Sequence, residues 1–170
     1  MTTKVLVTYA STHGSTQEIA ETVAGVLIEN GLAVDLQAAR SVRSLEGYQA
    51  VVLGAPLYMF RWHADARKFL TRFRKVLSGG LPVAIFTGGK MEEGPEAQGY
   101  EVTTQLSKEL AKFPWLKPAS VEIVGGRFDP ARLRFPWNLI PALKGMSPTD
   151  LRDWDAIRAW AGSLEARFNG

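Results

Sequence analysis

An apolar, β-branched stretch, Val5-Leu6-Val7, runs through Thr8-Tyr9-Ala10 into Ser11-Thr12-His13-Gly14-Ser15-Thr16. Apolar residues at helix spacing follow at once: Ile19, Ala20, Val23, Ala24, Leu27 and Ile28. A buried strand, a short loop of hydroxyls around one glycine, and a helix start leave few folds open. The first N–H groups of a helix have no partners inside it, and the helix dipole favours an anion there. Ser11, Thr12, Ser15 and Thr16 add uncharged O–H donors around the same point. Ser15-x-x-Glu18 also fits a capping box, in which Ser15 would only close the helix end. Capping needs one hydroxyl, and four lie within six residues. The loop is therefore expected to hold a phosphate.

The rest of the chain repeats the alternation. Asn30-Gly31 stops the first helix, and residues 33–36 form a short strand with an edge character. Residues 40–47 are polar, with at most one helical turn around Val42 to Leu45. Ala50 to Gly54 is apolar throughout and makes a third strand, ending in Ala55-Pro56-Leu57-Tyr58-Met59 and then Phe60-Arg61-Trp62-His63. A helix is expected over His63 to Lys75, with Phe69, Leu70 and Phe73 inward and His63 at its start. Leu81 to Phe86 is a fourth strand, ending in Thr87-Gly88-Gly89, where glycines permit close approach of the backbone to a planar ligand. An acidic loop over 91–99, a helix over 100–113 stopped by Pro114, and a strand over 119–124 follow. The closing helix is expected over Leu151 to Phe168, introduced by Ser147-Pro148. Five strands alternating with helices make an α/β fold, a doubly wound five-stranded parallel sheet with helices on both faces. In the order 2-1-3-4-5, strands one and three meet at the switch point, and ligands bind beyond their carboxyl ends.

Several function classes drop out. The chain contains no cysteine, which excludes disulfides, thiolate metal sites and cysteine nucleophiles. It has no G-x-x-x-x-G-K-[ST] and no G-x-G-x-x-G after the first strand, so neither a P-loop NTPase nor a dinucleotide fingerprint is present. A phospho-acceptor receiver domain needs acids at the ends of strands one and three, where this chain has Tyr9-Ala10-Ser11 and Gly54-Ala55-Pro56. No apolar run approaches the ~20 residues of a membrane span. With no leader pattern before the first strand, a cytoplasmic location is expected. At 170 residues, 1–170 is expected to be a single domain. Neither nucleic acid nor a metal is an expected partner.

Tyr9-x-Ser11-x-x-Gly14-x-Thr16, followed by Ala20, resembles the phosphate-loop signature of the flavodoxins. Thr8 and Glu21 depart from it, both at its ends. The resemblance implies a flavodoxin-like fold with FMN as cofactor. Its phosphate would lie among Ser11, Thr12, His13, Gly14, Ser15 and Thr16, with Ala55, Pro56, Leu57, Tyr58, Met59, Thr87, Gly88 and Gly89 flanking the flavin ring. No residue is assigned as catalytic acid or base, because the flavin supplies the electron chemistry. The implied partners are a redox protein or a quinone.

The net charge of +3 is unevenly placed: residues 61–75 carry +5 and 127–144 carry +3, leaving −5 elsewhere. The second basic stretch lies in an insert at about 127–146 that mixes Arg132, Arg134 and Lys144 with Phe135, Trp137 and Leu139. That mixture suits a water–lipid interface and equally a loop packed on the protein's own flank. Gly125-Gly126, this insert and Asp153-Trp154 resemble the menaquinone-dependent protoporphyrinogen oxidases of the flavodoxin-like group. Those enzymes carry a basic loop after the fourth strand and a glycine in the loop after the third; this chain has an acidic loop and no glycine between Gly54 and Gly79. The expected function is an FMN-binding redox protein in electron transfer or quinone-linked oxidoreduction. Protoporphyrinogen oxidation in haem biosynthesis, with peripheral membrane contact through 127–146, is the first alternative. A domain that has lost its cofactor and serves as an interaction module is the second.

Overall fold

The computed structural model describes residues 3–11, 14–58, 61–90, 97–125, 127–128, 139, 149–150 and 152–169. Strand β1 (Lys4–Tyr9) leads to helix α1 (Ser15–Glu29) and strand β2 (Ala33–Ala38), followed by a 3-10 turn at Ala39–Ser41. Strand β3 (Ala50–Tyr58) turns into β4 (Arg61–Trp62), and helices α2 (Ala64–Arg72) and α3 (Arg74–Ser78) return the chain to β5 (Val83–Lys90). Helix α4 (Ala97–Leu110), strand β6 (Ser120–Gly125), the short pair β7 (Arg127–Phe128) and β8 (Thr149–Asp150), and helix α5 (Trp154–Asn169) complete it.

The main sheet has the order β2-β1-β3-β5-β6, with all pairs along it parallel and β4 added antiparallel to β3. Once the hairpin strand β4 is set aside, this is the order 2-1-3-4-5, with β2 on the edge. The continuous apolar runs exist because both sheet faces are covered. Leu6, Val51, Leu53, Ala55 and Ile85 face one core with Ala66, Phe69 and Leu70 of α2 and Leu106 of α4. Val5, Val7, Val52, Ala84 and Phe86 face the other, with Ile19, Val23 and Leu27 of α1 and Ile157, Trp160 and Leu164 of α5.

Several boundaries differ from the sequence expectation: β2 runs to Ala38, the 3-10 turn lies at Ala39–Ser41 rather than around Val42 to Leu45, and α4 spans Ala97–Leu110 rather than 100–113. The helix expected over His63 to Lys75 is divided at Phe73 (φ −102°, ψ 17°), and the turn delivers Leu77 to the same core as Phe69 and Phe73. Neither Pro nor Gly marks that division. The third strand does not end at Gly54 but continues through Ala55-Pro56-Leu57-Tyr58, because β4 and β5 supply ladder partners there. The fourth strand likewise runs on through Thr87-Gly88-Gly89 to Lys90, with a register shift between Gly88 and Lys90. The closing helix begins at Trp154, not after Ser147-Pro148. Thr149-Asp150 pairs with Arg127-Phe128 instead, and Asp153 Oδ1 accepts the Ala156 N–H (3.0 Å) as the N-terminal cap. The β7–β8 pair clasps both ends of the insert. Its interior, 129–148, lies outside the described residues except for Leu139, which is exposed.

Candidate functional site

β1 has β2 on one side and β3 on the other, and the chain reverses its direction of travel across the sheet at that point. Such a switch point leaves a crevice beyond the strand ends. The registers Tyr9↔Gly54, Ala55↔Thr87 and Pro56↔Gly88 place the ends of β1, β3 and β5 at one edge of the sheet. Three segments far apart in sequence thus converge: the loop into α1, the β3–β4 hairpin, and the end of β5.

The first segment leaves the sheet through Ala10, whose N–H donates to the Gly54 carbonyl (2.8 Å). Gly14 precedes α1 in the left-handed region (φ 86°), where a Cβ would be strained. Its N–H donates to Ser11 Oγ (2.9 Å), which closes the loop on itself and leaves the Ser11 hydroxyl hydrogen to point elsewhere. Among the described residues no side chain caps α1. Ser15 is the first helical residue, so it does not make the capping box, and Glu18 instead pairs with Arg152 (2.6 Å). The helix start thus has its first N–H donors without a side-chain cap among the described residues, and Gly14 stands directly before them. Ser11 and Ser15 are half-buried, whereas Thr16 is buried beside Ile19 and Ala20. Thr12 and His13 lie outside the described residues.

The second segment contributes differently from expectation. Ala55 and Leu57 turn their side chains into the core that contains Phe69 and Leu70, because strand alternation sends every second residue there. Pro56 falls just beyond the last β1 pairing, at Gly54, where its missing N–H removes no bond to β1. The Pro56 carbonyl accepts the His63 N–H (3.1 Å), and His63 Nδ1 accepts the Asp65 N–H (3.1 Å), so His63 caps α2. Tyr58 ends β3, and Met59 lies outside the described residues.

The third segment is tied to the second. Thr87 is fully buried, and its hydroxyl donates to the Ala55 carbonyl across the ladder (2.7 Å). Its hydroxyl is committed to the sheet, and Gly88 and Gly89 follow it at the end of β5.

Two residues outside the expected cofactor-binding set support this edge. Trp62, 1% exposed, donates its indole N–H to the same Ala55 carbonyl (3.2 Å). Glu109 of α4, 3% exposed, accepts the Trp62 backbone N–H (3.3 Å) and the Lys112 ammonium (2.6 Å). Burial pushes the Glu109 carboxyl up, but Lys112, the Trp62 N–H and the Arg67 guanidinium outweigh it and hold the group below the usual carboxylate range. Its position on the apolar stripe Leu106, Leu110, Phe113 is the signal that marks it: a lone acid on an inward face. Among the described residues there is no cluster of His, Asp or Glu able to hold a metal. Nor is any helix among them long and apolar enough to cross a membrane.

Residues 6–138 match the family model described as the flavodoxin domain. The chain is 25% identical over 173 aligned residues to protoporphyrinogen IX dehydrogenase [quinone] of Escherichia coli K12, covering 95% of this chain and 94% of that protein. Among solved structures, a flavodoxin from the domain Archaea superposes with a TM-score of 0.61 at 15% identity, over 98% of this chain and 99% of that one. Flavodoxin 1 from Bacillus cereus does so with 0.57 at 17% identity, over 98% and 97%. Rubredoxin oxygen:oxidoreductase from Desulfovibrio gigas gives 0.57 at 15% identity over 98% of this chain but only 37% of that longer one.

Proposed function

The chain belongs to the flavodoxin domain family and is an FMN-binding redox protein of that fold, and we propose that its cofactor is held in the crevice between the loop into α1, the β3–β4 hairpin and the end of β5. One observation carries the placement. Among the described residues no side chain caps the start of α1, and Gly14 stands before it in the left-handed region. That is a fit for a phosphate dianion, held by neutral donors and the positive end of a helix rather than by a cation. The residues from Ser11 to Thr16 contain no Lys or Arg.

In this placement Ser11, Thr12, His13, Gly14, Ser15 and Thr16 surround the phosphate. Pro56, Tyr58 and Met59 stand along one side of the ring, and the backbone of Gly88 and Gly89 along another. Ala55, Leu57 and Thr87 act one layer back, holding those two segments together. When bound, the flavin supplies the electron-accepting and electron-donating chemistry. The chain's own part is to bind it, orient it and shield it from water on the sheet side. Purified protein is expected to be yellow, or to quench FMN fluorescence on titration. Colourless protein that leaves FMN fluorescence unchanged would overturn the placement.

A quinone-linked oxidation is the finer proposal, supported by the similarity over 95% of the chain to a protoporphyrinogen IX dehydrogenase that uses a quinone. On this view the basic insert at 127–146 meets the lipid surface or the porphyrinogen carboxylates. Anaerobic incubation with protoporphyrinogen and menaquinone is expected to yield porphyrin. FMN reduction by other donors with no porphyrin formed would reject this substrate and leave the redox assignment standing. The 1–170 chain is proposed to act as one domain, in the company of a redox protein or a quinone.

A further inference from the structure

A two-residue strand such as β4 has little holding it in place by itself. Here its single buried residue, Trp62, is bound at three points. Its N–H donates to Glu109 Oε2 (3.3 Å), its carbonyl accepts from Arg67 Nε (3.1 Å), and its indole N–H donates to the Ala55 carbonyl (3.2 Å). That carbonyl also accepts the Thr87 hydroxyl, so Trp62 joins β4, β3 and β5 at the very edge where the crevice opens. Glu109 brings α4 into the same junction. Its carboxylate is almost wholly out of water, an arrangement that is unfavourable before its partners are counted. A leucine or methionine would attach α4 to the sheet without that cost, since Leu106 already does so from the same face. What an apolar residue would not do is hold a backbone N–H in one place.

We propose that Glu109 is a positioning residue for the flavin ring: through Trp62 it fixes the β3–β4 hairpin, and with it Pro56 and Tyr58, against the end of β5. The inference rests on the cofactor placement above. It differs from a general packing role because the ring side of the site, not the phosphate side, should respond.

The test compares wild type with E109L, E109Q and W62F in the full chain. FMN and riboflavin dissociation constants, thermal midpoints, and amide exchange of residues 57–62 without flavin would be measured. E109L is expected to weaken FMN and riboflavin equally, by about tenfold, the scale of one charge-assisted hydrogen bond left unmade. It should also speed exchange at Trp62 and lower the thermal midpoint, because the buried Trp62 N–H loses its acceptor. E109Q, which can still accept the Trp62 N–H, should stay within about threefold of wild type. W62F should follow E109L in affinity, which keeps the test decisive if E109L does not fold. Flavin affinities and Trp62 exchange unchanged in E109L, or unchanged affinities in W62F, would overturn the inference. Wild type that binds no flavin would defeat the cofactor placement instead, and the exchange data would still report whether Glu109 holds the hairpin.

Discussion

Gly54 of β3 and Phe86 of β5 are ladder partners, and the ring of the second fills the space that a side chain on the first would need. Phe86 is fully buried and packs edge-on against Trp160 of α5 (6.0 Å between centroids), so it has nowhere to retreat. Gly54→Ala is therefore expected to destabilise the fold by about 1–3 kcal/mol through overpacking. Pairing it with Phe86→Leu should recover part of that loss, giving a non-additive double-mutant cycle. Urea denaturation of the four proteins checks this; strict additivity would mean the two positions do not compete for space.

Thr8 is fully buried in β1, and its hydroxyl has no hydrogen-bond partner among the described residues. An unmet buried hydroxyl costs more than the methyl that could replace it. Thr8→Val should raise stability by about 1 kcal/mol, with FMN affinity unchanged. A lower denaturation midpoint for Thr8→Val would contradict this.

Ser11 Oγ accepts the Gly14 N–H and so shapes the phosphate loop. In Ser11→Ala that N–H loses its acceptor, and FMN affinity should fall by about two- to tenfold, the scale of one hydrogen bond. Riboflavin, which lacks the phosphate, should bind as before. Equal losses for the two ligands, read by fluorescence quenching, would place the phosphate elsewhere. This is the opposite signature to that expected for Glu109.

At the other end of the sheet, Tyr48 donates its phenol to Asp35 (2.6 Å), and Lys4 stands 3.4 Å from the same carboxylate. Burial and the Asp35 bond push the Tyr48 phenol up to about 12, while the Tyr48 bond and Lys4 draw Asp35 below its ordinary value despite some desolvation. A raised tyrosine contributes stability that is whole below its ordinary value and lost as pH climbs through about 12. A lowered aspartate contributes stability present above its ordinary value and lost as pH falls through its folded one. Tyr48→Phe should abolish the alkaline loss and reduce the acid one. Tyrosinate absorbance and denaturation midpoints across the pH range measure both limbs.

The sheet order, and with it the switch point at β1 and β3, was legible because it depends on patterns of many residues. Apolar runs such as Val5 to Val7 and Ala50 to Leu53 can only be strands covered on both sides, and glycine among hydroxyls at Ser11 to Thr16 marks one kind of loop. What escaped depends on single tertiary contacts. Whether Thr87 offers its hydroxyl to a ligand or to Ala55 is decided by β3 continuing past Gly54, and that continuation depends on β4 folding back. Propensity carries no record of this, since Pro56 in a strand argues against it locally. The division at Phe73 escaped for the same reason: the core, and neither proline nor glycine, bends the chain there. Glu109 could have been suspected from its apolar neighbours, but its partner Trp62 lies 47 residues away.

The helix beside α1 on its sheet face is α5, from the far end of the chain, and their starts are bridged by Arg152 and Glu18 across 134 residues. During synthesis, Ile19, Val23 and Leu27 must therefore leave the ribosome long before Ile157 and Leu164 exist to cover them. This layer of the core waits for α5, so a nascent chain halted before residue 154 presents a greasy face to chaperones and proteases.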